Sequence, residues 1–258
     1  MNKLQDLDLT TKKYIIFDMD GTLIDSIGIW NTTDYRLVKD LSGKDVSLDT
    51  IQKDRDFFLE TNQGTDIYLE YCNWLIQKYG LNISKEELLK LRWDISGKYL
   101  IEDMDFKDGA DELIKLLKTQ EFILILATAT TQTQIDIYTA QNVRMREKAN
   151  ISEIFDLIIR KEDVQHKKPH PEIYLNVLNR YNAKPEECLV FEDSLHGIMA
   201  AKEAGIETVN IYDKYSDKDR ENIDRLTDYK IGTFRDFIVF LYNIKYSKKK
   251  ELIKKCLS

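Results

Sequence analysis

Tyr14-Ile15-Ile16-Phe17 runs straight into Asp18-Met19-Asp20-Gly21-Thr22-Leu23-Ile24-Asp25-Ser26. Four consecutive apolar, β-prone residues without polar alternation read as a short strand buried on both faces, and Gly21 marks the turn that ends it. The pattern recurs downstream. Phe122 to Ala127 ends at Thr128-Ala129-Thr130, and Cys188 to Phe191 ends at Glu192-Asp193-Ser194. Weaker strands are expected at Phe155 to Ile159 and Thr208 to Tyr212. Helical spacing lies between them. Leu113, Ile114, Leu116 and Leu117 share one side, and Ile173, Tyr174, Val177 and Leu178 follow Pro171, which suits a first turn. Ser194 can cap a helix to Glu203, with Gly205 as its left-handed stop. Buried strands alternating with helices predict an α/β fold, a parallel sheet with helices on both faces.

The stretch from Ile27 to Met104 differs, because it has no fully apolar strand run. It shows helical patterns at Trp30 to Leu41 and at Ile67, Tyr71, Trp74 and Leu75, and Ser84 with Glu87 has capping-box spacing. With only 3 prolines and 10 glycines in 258 residues, no Pro/Gly linker strings domains together, so a second domain must be inserted. The expected division is a discontinuous core, residues 1–26 and 105–258, interrupted by an all-helical insert at 27–104. The basic end, Lys245 to Lys255, reads as a solvated helix.

Composition excludes several classes. With 38 Lys and Arg against 45 Asp and Glu, the net charge is −7, which disfavours a general nucleic-acid binder. At 43% hydrophobic the chain can build a core, and it has no apolar run long enough to span a bilayer. MNKLQDLDLTTKK lacks a signal-peptide core. Cys72, Cys188 and Cys256 are odd in number and widely spaced, which fits neither a disulfide framework nor a CxxC metal site. A cytoplasmic, reducing location is the expectation.

Ligands of open parallel sheets bind beyond the carboxyl ends of the strands. Asp18, Asp20, Thr128, Glu192 and Asp193 could therefore meet in one crevice, joined by Lys168 ahead of Pro169. Converging carboxylates repel, by roughly 4 kcal/mol per pair at about 4 Å and an effective dielectric near 20. A hard divalent cation relieves that, and oxygen-only ligands favour Mg²⁺. The chemistry this selects is phosphoryl transfer. A carboxylate nucleophile can form an acyl phosphate if a metal and a lysine offset the charge of the phosphate. A second carboxyl two residues on could serve as acid and base.

Asp18-Met19-Asp20-Gly21-Thr22-Leu23-Ile24-Asp25-Ser26 resembles the first motif of the haloacid dehalogenase (HAD) superfamily. Thr128 in Leu126-Ala127-Thr128-Ala129-Thr130 resembles the second, Lys168-Pro169-His170-Pro171-Glu172 the third, and Val190-Phe191-Glu192-Asp193-Ser194 the fourth. The resemblance covers roughly residues 14 to 215 and implies a Rossmann-like core. It likens the helical insert to the cap of the β-phosphoglucomutase-like subgroup. It implies Asp18 as nucleophile and Mg²⁺ ligand, and Asp20 as general acid/base with its carbonyl on the metal. Thr128, the Ala129 amide and Lys168 would hold the phosphoryl group, and Asp193, with Glu192 as a further ligand, would complete the metal site.

Asp20 speaks for a leaving alkoxide and hence against dehalogenase or phosphonatase chemistry. A mutase of this subgroup would carry a Lys-Asn pair after the second motif, where Thr131-Gln132 stands here. A cap arginine would also be expected, and Arg55 is roughly placed. The resemblance thus points to a Mg²⁺-dependent phosphatase of a small phosphorylated metabolite, with no nucleic-acid or membrane partner, monomeric or weakly homo-oligomeric. The alternatives are a sugar phosphomutase and a catalytically silent HAD-like binding module. His170 and His196 lie beside motifs without an assigned catalytic role, and Asp25 and Ser26 read as structural anchors.

Overall fold

The computed structural model describes residues 3–62 and 66–244. The chain divides into two compact units, Met1–Asp25 with Asp105–Ser258, and Ser26–Met104. Among the described residues no helix is long and apolar enough to cross a membrane.

In the first unit the strands are β1 (Tyr14–Phe17), β2 (Ile123–Ala127), β3 (Leu157–Ile159), β4 (Cys188–Glu192), β5 (Glu207–Ile211) and β6 (Tyr229–Ile231). They form one parallel sheet in the order β3-β2-β1-β4-β5-β6. The sheet reverses its direction of growth at β1, between β2 and β4, where ligands of such sheets bind. Alternation along β1 sends Tyr14 and Ile16 to one face and Ile15 and Phe17 to the other. The first pair packs with Ile173, Tyr174 and Val177 of the helix Glu172–Tyr181 and with Ala200 and Ala201 of the helix Leu195–Glu203. On the other face, Phe17 stacks on Phe191 at 4.7 Å, and Phe191 meets Phe237 of a helix over residues 234–244 edge-on at 4.9 Å. Both faces of the central strands are therefore covered, which is why these strands read as unbroken apolar runs.

Differences from the sequence reading have local causes. The third strand in chain order starts at Leu157 rather than Phe155, because the Asp156 carboxylate accepts the Leu124 amide at 2.9 Å just ahead of the first paired residues. Phe155 instead packs edge-on against Phe17. Strand β6 was not anticipated, since three residues with exposed Lys230 at the centre carry too little signal.

Among the described residues the second unit holds four helices, α1 (Ile27–Ser42), α2 (Leu48–Thr61), α3 (Ile67–Tyr79) and α4 (Lys85–Glu102). The Ser84–Glu87 capping box forms as expected. The core of the unit is Leu37 and Val38 of α1, Ile51 and Phe58 of α2, Tyr71, Cys72 and Leu75 of α3, and Leu88 of α4. Helix α2 escaped the sequence reading because its exposed Leu48, Phe57 and Leu59 blur the apolar period. A charged pair is embedded in this unit: Arg92 Nε donates to Asp34 Oδ1 at 2.6 Å, and both side chains are almost wholly buried. The expectation for Lys245 to Lys255 lies outside the described residues.

Candidate active site

Three of the four sequence motifs sit at the carboxyl ends of central strands, and the third lies in a loop. Asp18 follows β1 directly and donates its amide to Phe191 O at 3.0 Å. The turn after it folds back on itself, with Gly21 N on Ile24 O at 2.9 Å and Ile24 N on Met19 O at 3.0 Å. Gly21 has φ +85°, and a Cβ there would collide with the Asp193 carboxylate, so the position needs glycine on both counts. Thr22 Oγ1 donates to Asp193 Oδ1 at 2.8 Å, tying the first motif to the fourth.

Lys168 is brought in by the loop ahead of the helix Glu172–Tyr181. Its ammonium spends three donors on three acceptors: Asp18 Oδ1 at 2.7 Å, Glu192 Oε1 at 2.6 Å and Ala127 O at 3.0 Å. The neighbouring Lys167 is exposed. Burial disfavours the charged amine, but the carboxylates of Asp18 and Glu192 outweigh it and hold Lys168 well above the ordinary lysine value.

Asp18, Glu192 and Asp193 are buried, with carboxylate oxygens all within 4.8 Å of one another. Burial pushes Asp18 well above the usual carboxylate range; Lys168 opposes the rise, and Glu192 and Asp193 reinforce it. Asp193 is pushed up to about 7, by burial first and by the charge of Glu192 second, against the Thr22 hydrogen bond. When ionised, three carboxylates and one ammonium leave an excess of two negative charges. A buried, all-oxygen donor set with that excess fits a hard divalent cation such as Mg²⁺.

This electrostatic strain has a measurable sign. The folded-state pKa of Asp193 lies above its unfolded value, so the folded protein holds the proton more tightly. Stability of the metal-free protein should therefore fall as pH rises from about 4 through about 7. Asp193→Asn is expected to raise the melting temperature of the metal-free protein at pH 7.5, and a Mg²⁺ ion held by this cluster would stabilise the wild type but not the variant. A thermal shift series with and without Mg²⁺ checks both, and an undiminished Mg²⁺ shift in the variant would remove Asp193 from the metal site.

The second motif reaches Asp20 through a residue that sequence reasoning passed over. Thr128 Oγ1 donates to Thr130 Oγ1 at 2.8 Å, and Thr130 Oγ1 donates to Asp20 Oδ2. Tyr138 OH donates to the other oxygen of Asp20 at 3.3 Å. The Asp20 carboxylate is thus oriented by two hydroxyls, while Thr128 is buried and Ala129 beside it is exposed. Residues 14–26 could not reveal Thr130 or Tyr138, which lie more than a hundred positions away.

A model of the haloacid dehalogenase-like hydrolase family matches residues 12–205. The chain belongs to this family. It is 31% identical over 195 residues to the phosphorylated carbohydrates phosphatase of Thermotoga maritima, covering 76% of this chain and 82% of that protein. It is 25% identical to hexitol phosphatase B of Escherichia coli K12, over 75% of this chain and 81% of the relative. The fold matches the crystal structure of CbbY from Rhodobacter sphaeroides in complex with phosphate, with a TM-score of 0.63 and 22% identity over 86% of this chain and 95% of the other. A HAD hydrolase of family IA, variant 3, from Entamoeba histolytica superposes with a TM-score of 0.61 at 23% identity, over 87% and 94% of the two chains.

Within this hydrolase, Glu192 is the most heavily engaged of the three acids. Its Oε1 accepts from Lys168 and from Tyr174 OH at 3.1 Å; its Oε2 accepts from Asp193 N at 3.1 Å, Ser194 N at 3.3 Å and Ser194 Oγ at 3.2 Å. Gly197, in the first turn of the following helix, leaves the space this carboxylate fills, and any Cβ there would overlap it. Gly197→Ala should cost about 1–3 kcal/mol by overpacking and should displace Glu192 from Lys168. Denaturant unfolding combined with a turnover assay checks this. A variant with native stability and full activity would show that the contact is unimportant.

Proposed function

We propose that this hydrolase is a Mg²⁺-dependent phosphatase of a small phosphorylated metabolite, working through a phosphoaspartate on Asp18. The observation that carries the reading is the Lys168 ammonium, 2.7 Å from Asp18 inside a buried carboxylate cluster at the strand ends. A lysine so placed offsets the repulsion between an anionic nucleophile and an anionic phosphate.

In the first step an Asp18 carboxylate oxygen attacks phosphorus, and the bond from phosphorus to the ester oxygen breaks. Asp20, held by Thr130 and Tyr138, gives its proton to the departing oxygen. In the second step water attacks the phosphoaspartate, Asp20 takes a proton from that water, and the bond from Asp18 to phosphorus breaks to free inorganic phosphate. Thr128, the Ala129 amide and Lys168 bind the phosphoryl oxygens. Mg²⁺, held by Asp18 and Asp193 with the Asp20 carbonyl, would supply the remaining positive charge. Glu192, whose oxygens are taken, positions Lys168 and stands at the edge of the metal set.

Thr131 and Gln132 favour the phosphatase over the mutase. Thr131 caps the helix Gln132–Asp136, accepting from Gln134 N, and Gln132 bonds Asp136 and Arg160, so neither offers a charge to a second phosphate. One observation supports the mutase reading instead: Arg55 of α2 has its Nε and Nη1 buried without a partner among the described residues. Relatives named for phosphorylated carbohydrates and hexitols direct the substrate search to sugar and polyol phosphates. A cytoplasmic location accords with Cys72 and Cys188, both buried free thiols.

Phosphate release from p-nitrophenyl phosphate and a panel of sugar, polyol and nucleotide monophosphates should appear with Mg²⁺ and vanish with EDTA. No release above an Asp18→Asn control would overturn the phosphatase and favour the silent binding module. Activation of β-glucose 1-phosphate turnover by a hexose bisphosphate would replace the phosphatase with the mutase.

A further inference from the structure

Two of the three histidines stand in the loop that carries Lys168, in the run His166-Lys167-Lys168-Pro169-His170-Pro171-Glu172. Their rings stack with centroids 4.5 Å apart. His166 Nδ1 lies 2.8 Å from Glu172 Oε2. Each of His166, His170 and Glu172 offers one ligand atom, and these atoms all fall within 4.8 Å of one another. Glu172 is kept as an anion chiefly by the backbone amide of Gln165, and by His166. Pro169 and Pro171 restrict the backbone on either side of His170, so little ordering is left for a ligand to impose. The cluster shares no residue with Asp18, Glu192 and Asp193, and the phosphatase steps make no use of it.

We propose that His166, His170 and Glu172 form a second metal site, selective for a borderline transition ion such as Zn²⁺ over Mg²⁺. Two imidazoles and one carboxylate match the donor preferences of zinc, and magnesium prefers oxygen. Tetrahedral binding at about 2.0–2.1 Å sets donors roughly 3.4 Å apart, so small side-chain rotations close the present spacing. The ion takes the place of the proton between His166 and Glu172, and water completes the coordination. Lys168 lies between the ligands in sequence, so loading the site pins the backbone on both sides of the lysine that bonds Asp18.

Zinc chloride is titrated into the full chain against a chromophoric zinc chelator, with millimolar Mg²⁺ present throughout to load the acidic cluster. The wild type is expected to take up one zinc per chain. His166→Ala and His170→Ala should each weaken uptake by about tenfold or more, while Mg²⁺-dependent phosphate release stays within about tenfold of wild type. Zinc-edge X-ray absorption should show two imidazoles on the wild-type ion. Amide exchange in segment 165–172 should slow with zinc in the wild type and not in the double variant. Zinc affinity unchanged in the double variant, a bound ion without imidazole, or no uptake at all would each overturn the site.

Discussion

Asp18→Asn should lower Mg²⁺-dependent phosphate release by about four orders of magnitude or more, the scale on which losing a covalent nucleophile is felt. Asparagine keeps the shape of the side chain and leaves the backbone bond to Phe191 in place. It removes the carboxylate charge that the proposed mechanism uses to attack phosphorus. Burial already works against ionised Asp18, so the variant should be no less stable than the metal-free wild type. Loss of activity with a retained melting temperature would therefore report chemistry and not unfolding. His170→Ala, in the Lys168 loop, should stay within about tenfold of wild type. Equal losses in both variants, read from steady-state phosphate release, would contradict the division of roles.

The second large effect belongs to the helical unit. Arg92 contacts Asp34 through two donors, at 2.6 and 3.2 Å, and Tyr71 OH donates to Asp34 at 3.1 Å. The guanidinium also lies 5.0 Å from the Trp30 ring centre and 5.1 Å from that of Tyr71. Asp34→Ala leaves a buried guanidinium without its carboxylate and should cost about 3–5 kcal/mol. Replacing both residues by leucine removes the stranded charge and should cost less than the sum of the single changes. Trp30, Trp74 and Trp93, all of the tryptophans, lie in this unit, so urea unfolding followed by tryptophan fluorescence reads it selectively. A loss below about 1 kcal/mol for Asp34→Ala, the scale of a surface pair, would show that the network is solvated and weak.

The sheet was legible where strands are buried on both faces. Tyr14–Phe17 and Cys188–Glu192 are fully apolar up to their functional ends, and the pairing of Phe17 with both Leu126 and Phe191 puts three motif-bearing ends side by side. Strand β6 and helix α2 were not legible, because exposure dilutes their pattern. At the site, the residues that bear charge could be read from their motifs. Those that aim them could not: Thr130 and Tyr138 on Asp20, Thr22 on Asp193, and Tyr174 on Glu192 act through hydroxyls at long sequence separation. Asn210 is a further case, its amide donating to the carbonyls of Glu192 and Asp193 at 3.0 and 3.3 Å from the adjacent strand β5. Such contacts depend on strand order, which no local window contains.

The central claim, two successive displacements with Asp18 as the first nucleophile, is tested most directly by the stereochemical course at phosphorus. An aryl thiophosphate made chiral with oxygen isotopes is hydrolysed by the Mg²⁺-loaded enzyme, and the configuration of the released thiophosphate is determined. Passage through a phosphoaspartate inverts the centre twice and predicts net retention. Net inversion would mean that water attacks the ester directly and would contradict the covalent account.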